Sequence, residues 1–276
     1  MALSIFTSGA AMSSTNALNK SNSILSTAME RLGTGKRINS AADDAAGLQI
    51  ATRLQGQVNG MGVAQRNVAD ATAMLQTAEG AFDEVSNIMY RMKDLATQAA
   101  SDTNSAEDRE AMTAEMTELT AELTSIMDNT RFGQRELFGA DGLEIALTFQ
   151  IGSSADEQLT LDISGDLGTA KTAATTAYDI DSATAAATSI TSLETALGDV
   201  GKVRSALGAN INRLGHTSAN LSNMKDNTTL ALGNIRDADF ATEATNMTRN
   251  QMLAQTSMSM LKQANSMSGM VMSLLG

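Results

Sequence analysis

The 276 residues carry a formal net charge of −12, with Phe 6, Tyr 2 and no Trp, Pro or Cys. Absence of Cys excludes disulfides, thiol catalysis and thiolate metal sites, and absence of Pro leaves long helices uninterrupted. So few aromatic side chains argue against a thick ordinary core and for thin helix-to-helix seams of Ala, Leu, Ile and Met, a helical rod or bundle.

The charge is unevenly placed. Residues 1–40 balance to +3 and residues 240–276 to +1, which leaves −16 in the middle. An acidic middle argues against nucleic acid, and the weakly charged ends are built to be covered. No apolar run approaches the roughly 18 residues of a membrane span. No basic region precedes an apolar core at the start, so a secretory signal peptide is not expected.

From the beginning, Leu3, Ala10, Ala17 and Ile24 recur every seven residues, with Leu18, Leu25 and Leu32 as a second row beside them. Two adjoining rows on one helix bury more than a single partner requires. A break follows near residues 33–40. Gly33 and Gly35 can close a helix, and Ser40 with Asp43 has capping-box spacing that predicts the next helix from about residue 43 to 100. Along it, Val68, Leu75, Phe82, Met89 and Ala96 form one row and Ala71, Ala78, Val85, Met92 and Ala99 another. Ser101 to Ser105 reads as a polar turn, and Met112, Met116, Leu119, Leu123 and Ile126 mark a shorter helix folded back on the first.

Apolar alternation over residues 143–151 and again at Leu159, Leu161 and Ile163 reads as a β-hairpin, the one sheet element expected. Residues 164–182, rich in Gly, Ser, Thr, Ala and Asp, read as a loop or linker. Helix returns from Ile190 to about Ile235. A second break at 235–240 offers Asp237 or Asp239 as a cap, and the final segment again carries paired rows: Leu253, Met260, Met267 and Leu274 beside Met247, Ala254, Leu261 and Leu275. The fold class expected is mainly α, a long antiparallel helical hairpin or coiled-coil bundle with one small β-hairpin. Its two breaks would lie at equal height, so that Lys36 and Arg37 could pair with Asp237 and Asp239.

Catalytic and metal chemistry find no support. His216 is the only histidine, flanked by Gly215 and Thr217, which removes a His-based metal cluster or catalytic triad and leaves a solvated helix residue. The acid pairs Asp43-Asp44 and Asp83-Glu84 lie on predicted helices, where capping and solvation account for them. Methionine spacing in the final helix is the spacing of packing.

The run Arg37-Ile-Asn-Ser-Ala-Ala-Asp-Asp-Ala-Ala-Gly-Leu-Gln-Ile50 resembles the amino-terminal signature of bacterial flagellins. Asp237-Ala-Asp-Phe-Ala-Thr-Glu243, with Asn246-Met-Thr and the Leu274-Leu275 ending, resembles their carboxy-terminal signature. The likeness extends over nearly the whole chain. Only residues 164–182 stand where many flagellins insert large outer domains, so the sequence looks like a minimal flagellin with the two inner domains alone.

The resemblance implies a structural subunit of the flagellar filament that is not an enzyme and needs no cofactor or metal. It would be exported unfolded through the type III apparatus without a cleaved signal peptide and polymerised outside the cell. Its partners would be copies of itself, the export chaperone, the cap and the hook-junction proteins, with no nucleic acid and no membrane. Residues 1–42 would hold a filament-core helix and spoke loop, 43–235 a rod of long helices with the β-hairpin near 143–164, and 236–276 the second spoke and core helix. Core contacts would come from Leu3, Phe6, Leu18, Ile24, Leu25, Leu32, Met247, Leu253, Leu261, Leu274 and Leu275, with Arg37, Asp43, Asp237 and Asp239 at the spokes. Terminal pieces would order only on assembly. Arg91, Leu95 and Glu115 fall on the family motif for the vertebrate Toll-like flagellin receptor; helix-surface or subunit-contact roles are the plain alternative. Two other readings stay open, a hook-filament junction protein and a soluble helical scaffold or signalling hairpin.

Overall fold

The computed structural model describes residues 9–275, and within the last helix the side chains of all but 268, 269 and 271–275. The elements in order are α1 (Gly9–Thr34), α2 (Ala45–Ala99), α3 (Ala106–Asn129), β1 (Arg131–Phe132), β2 (Arg135–Glu136), β3 (Leu147–Gln150), β4 (Gln158–Leu161), α4 (Ser164–Thr175), α5 (Ala183–Arg236) and α6 (Phe240–Leu275). The fold is mainly α, as the periodicity predicts. Residues up to 58 and from 226 onward group as one compact unit, and residues 59–225 as the other.

In the unit formed by 59–225, both seven-residue rows of α2 are buried along their whole length, from Val68 to Ala96 and from Ala71 to Ala99. Met112, Met116 and Leu123 of α3 and Leu193, Val200, Leu207 and Leu214 of α5 are buried as well, and ion pairs join α2 to each helix, Arg91 to Glu115 and Lys93 to Glu194. Each large side chain withdrawn from water here contributes about 1.5–3 kcal/mol. The two buried phenylalanines, Phe82 and Phe138, meet edge to face with ring centroids 4.9 Å apart, a geometry that aromatic quadrupoles favour.

The polar turn between α2 and α3 is held by side chains the sequence supplies. Ser105 and Asp108 form a full capping box at the start of α3. Hydrogen bonds from the Ser105 backbone, then from its hydroxyl, hold the Asp108 carboxyl below the usual carboxylate range. Arg109 donates from Nε to Ala99 O at 2.9 Å and from Nη2 to Ser101 O at 2.9 Å. The Ala99 carbonyl at the end of α2 thereby gains a cationic partner, and the Ser101 carbonyl, which also accepts from Asn104 N, is held by the same guanidinium.

Three expectations are corrected in this unit. Residues 164–175 are a helix, α4, where a loop was expected. Leu167, Ala170 and Ala174 make its buried face, while Gly165 and Gly168, poor helix formers, mask the pattern. The expected hairpin is present as β3–β4, pairing Leu147 with Leu161 and Phe149 with Leu159, but its strands are shorter than the alternation suggested: residues 143–145 lie in a turn that leaves Ile145 exposed. The hairpin is not the one sheet element, because β1 and β2 form a second ribbon. Gly133 turns that ribbon with a φ of +63°, a conformation costly for any residue with a Cβ.

The segment after β2 is pinned through glycine. A Cβ at Gly142 would run into the carbonyl oxygens of Glu136 and Leu137, whereas one at Gly80 on α2 would meet nothing within 4 Å. Replacing Gly142 by Ala is expected to destabilise this unit by about 1–3 kcal/mol, and Gly80→Ala to stabilise it by roughly 0.5–1 kcal/mol. Urea unfolding followed by circular dichroism checks both signs, and equal midpoints for the two variants would contradict the packing described.

Candidate assembly surface

The terminal unit is organised at the two breaks. Gly35 closes α1 with a φ of +71°, its N–H donating to Arg31 O at 2.8 Å. The chain then runs antiparallel to the segment after α5. Lys36 and Asp237 stand opposite each other as a single backbone β-bridge, Arg37 N donates to Arg236 O at 2.7 Å, and Ala238 N donates to Gly35 O at 3.0 Å. The breaks therefore do lie side by side, joined by backbone hydrogen bonds.

The caps differ from the expected ones in one place. Asp43 accepts from the N–H groups of Asn39 and Ser40 and from the Ser40 hydroxyl. These bonds, the Ser40 N–H first, hold its carboxyl below the usual range. They close a turn ahead of α2, and the cap itself is Asp44, which accepts from Gly47 N at 2.8 Å. A Cβ at Gly47 would collide with the Asp44 carboxylate and come within 2.7 Å of the Ile38 side chain, so a larger residue there would have to displace the capping carboxylate. At α6 the expected cap is present: Asp239 accepts from Ala241 N and Thr242 N and from the Thr242 hydroxyl. That hydroxyl foremost keeps its carboxyl low.

The anticipated charge pair is also corrected. Arg37 donates from Nη2 to Ile235 O at 2.7 Å, Asp239 is occupied in capping, and among the described residues no ion pair joins Lys36 or Arg37 to Asp237 or Asp239. Among the described residues of this unit the ion pair is Arg31–Glu243, 2.9 Å apart, with Glu243 only 8% exposed. Sequence reasoning passed over it. The signal was there, since Glu243 is the only acid in residues 240–276, and a lone charge in a nearly neutral segment needs a partner.

α1 and α6 lie against each other along a thin seam. Its buried members are Ser21 and Ala28 from α1 and Glu243, Asn250 and Ala254 from α6. Of the apolar rows, Leu18, Leu25 and Leu32 are half-buried, as are Met247 and Leu261. The other rows face outward: Ala10, Ala17 and Ile24 on α1, and Leu253, Met260 and Met267 on α6, are exposed. Phe240 and Met252 are exposed as well. Leu3 and Phe6 lie outside the described residues, and so do the side chains of Leu274 and Leu275.

In the other unit Arg91 and Glu115 form an exposed ion pair at 2.7 Å. Leu95 is 2% exposed, so a partner landing there meets the two charged groups without reaching the leucine. His216 is exposed on α5. Among the described residues no His, Cys, Asp and Glu group is placed to hold a metal, and no helix is long and apolar enough to cross a membrane.

Residues 5–142 match the bacterial flagellin N-terminal helical region and residues 190–275 the bacterial flagellin C-terminal helical region. A flagellin of Halalkalibacterium halodurans is 41% identical over 249 residues, 90% of each chain. The crystal structure of Bacillus cereus flagellin superposes with a TM-score of 0.50 at 30% identity, covering 56% of this chain and 88% of that one. A chain of Vibrio parahaemolyticus described as a candidate flagellar hook-associated protein reaches a TM-score of 0.57 at 16% identity, over 71% of this chain and 100% of its own, which bears on the fold alone.

If Arg31 and Glu243 set the register of α1 on α6, a double-mutant cycle of Arg31→Met with Glu243→Gln gives a coupling of about 1–2 kcal/mol in heat-driven unfolding of the pair, discounted because Arg31 is part exposed. The same cycle on Arg37→Met and Asp239→Asn gives a coupling within about 0.3 kcal/mol of zero. Reversed magnitudes would contradict the assignment.

Proposed function

This chain belongs to the bacterial flagellins, structural proteins that polymerise with copies of themselves into the flagellar filament, and we propose that α1 and α6 carry the intersubunit contacts of that polymer. Its role is structural, not enzymatic. The observation that carries the proposal is the surplus of apolar rows: α1 and α6 satisfy each other along a thin seam and leave Ile24, Leu253, Met260 and Met267 facing water. Exposed large apolar side chains repeated at seven-residue spacing along a helix point to an interaction site.

In the filament, residues 1–42 and 236–276 would supply the innermost contacts and the spokes, and residues 43–235 the surrounding layer. The core contacts include the leucine and phenylalanine positions at both extremes of the chain. Family membership supports export of an unfolded chain to an extracellular filament, with an export chaperone, a cap and hook-junction proteins as partners. A receptor contact is a second reading, favoured by the exposed Arg91–Glu115 pair and not by Leu95. A hook-filament junction protein would share the helical ends but would stop growing after a ring of copies, whereas a filament subunit extends seeds of its own kind.

Leu253→Asp separates intersubunit contact from the α1–α6 seam, because Leu253 is 47% exposed in the single chain. The variant subunit is expected to be exported at normal levels. Burying its unpaired carboxylate costs about 3 kcal/mol, which raises the critical concentration for seeded growth roughly a hundredfold. Seeded pelleting measures this, and pelleting at wild-type yield would overturn the proposal.

A further inference from the structure

Beyond assembly itself, the chemistry of the outward face of α6 has a consequence. Met252, Met260 and Met267 are 58%, 59% and 55% exposed, and from Asn250 to Gly276 the only charged residue is Lys262. Adhesion of this stretch to a second copy therefore depends on apolar contact, and much of that contact is thioether. Leu253 shares a row with Met260 and Met267 at seven-residue spacing, so a leucine is accommodated on the same face; leucine is inert where the thioether is oxidisable.

We propose that these thioethers are a modification site for hydroperoxides, at which oxidation withdraws a free subunit from assembly; the inference rests on the assembly face argued above. The sulfur lone pair attacks the distal peroxide oxygen, the O–O bond breaks, and the proton passes to the departing oxygen, giving sulfoxide and an alcohol, or water when the oxidant is hydrogen peroxide. One oxygen is transferred and sulfur is oxidised by two electrons. The product replaces a flexible apolar group with a polar, chiral one, and its oxygen is a hydrogen-bond acceptor that the neighbouring apolar row cannot satisfy. Subunits already in a filament hold these sulfurs against a second copy, which excludes the oxidant.

The test treats purified full-length subunits with hydrogen peroxide, maps sulfoxide by peptide mass spectrometry, and measures growth on untreated seeds. Sulfoxide at Met252, Met260 and Met267 is expected to slow growth by about tenfold or more, and methionine sulfoxide reductase to restore it. The triple variant Met252→Leu, Met260→Leu, Met267→Leu should keep growing after the same treatment. If that variant does not assemble untreated, subunits made with norleucine in place of methionine serve the same comparison. Normal growth by oxidised wild-type subunits overturns the inference, and so does equal loss after oxidation in the triple variant, in which Met258 and Met270 remain exposed, or in the norleucine subunits. Equal oxidation of the three sulfurs in subunit and filament would instead overturn the assembly face itself.

Discussion

The seam between α1 and α6 sets the terms for the terminal unit. Ser21, Ala28, Asn250 and Ala254 are small or short, and Glu243 is held by Arg31. Small side chains let two helices approach closely, yet at about 25 cal/mol per Å² they contribute little by burial. Glu243, paired across the seam with Arg31, chooses a register more than it adds stability, while the Asn250 amide is satisfied within α6 by Asn246 O. A pair joined this way is specific in geometry and weak in adhesion, and its large apolar groups are left for others. The antiparallel backbone bonds at Lys36 and Asp237 fix where the pair begins.

Residues 59–225 are stabilised by the opposite strategy. Two complete rows of α2 are withdrawn from water, with Phe82 and Phe138 fully buried. The ion pairs from Arg204 to Glu79 and Asp83, and from Lys93 to Glu194, remain partly in water, so each adds little beside the burial. This unit does not need other copies to complete a core. One chain therefore combines a self-sufficient part with a part whose apolar surface is unspent, the arrangement a polymerising subunit requires.

Long-period features were legible because burial enforces them. Every member of the two α2 rows is buried, and the β3–β4 alternation placed Leu147, Leu159 and Leu161 inside. What the sequence hid is local or pairwise. α4 was concealed by Gly165 and Gly168, whose low propensity is overridden by the buried face of Leu167, Ala170 and Ala174. The short β1–β2 ribbon turns through two residues, Gly133 and Gln134, too little pattern to read. At the breaks, spacing suggested Ser40 as the cap and Arg37 as the charge partner, but a side chain's partner depends on where the backbone turns. Asp43 closes the turn, Asp44 caps, and Arg31 finds Glu243.

The central claim, that the outward rows of α1 and α6 meet a second copy, is most directly tested by thiol labelling. The chain has no native Cys, so a single cysteine at Ala17 or Leu253 reports on that position alone. Maleimide is expected to label both positions quickly in free subunits and at least about tenfold more slowly in filaments, as burial closes access, while a cysteine at His216 serves as the reference on the other unit. Labelling of positions 17 and 253 at the same rate in subunit and filament would contradict the account.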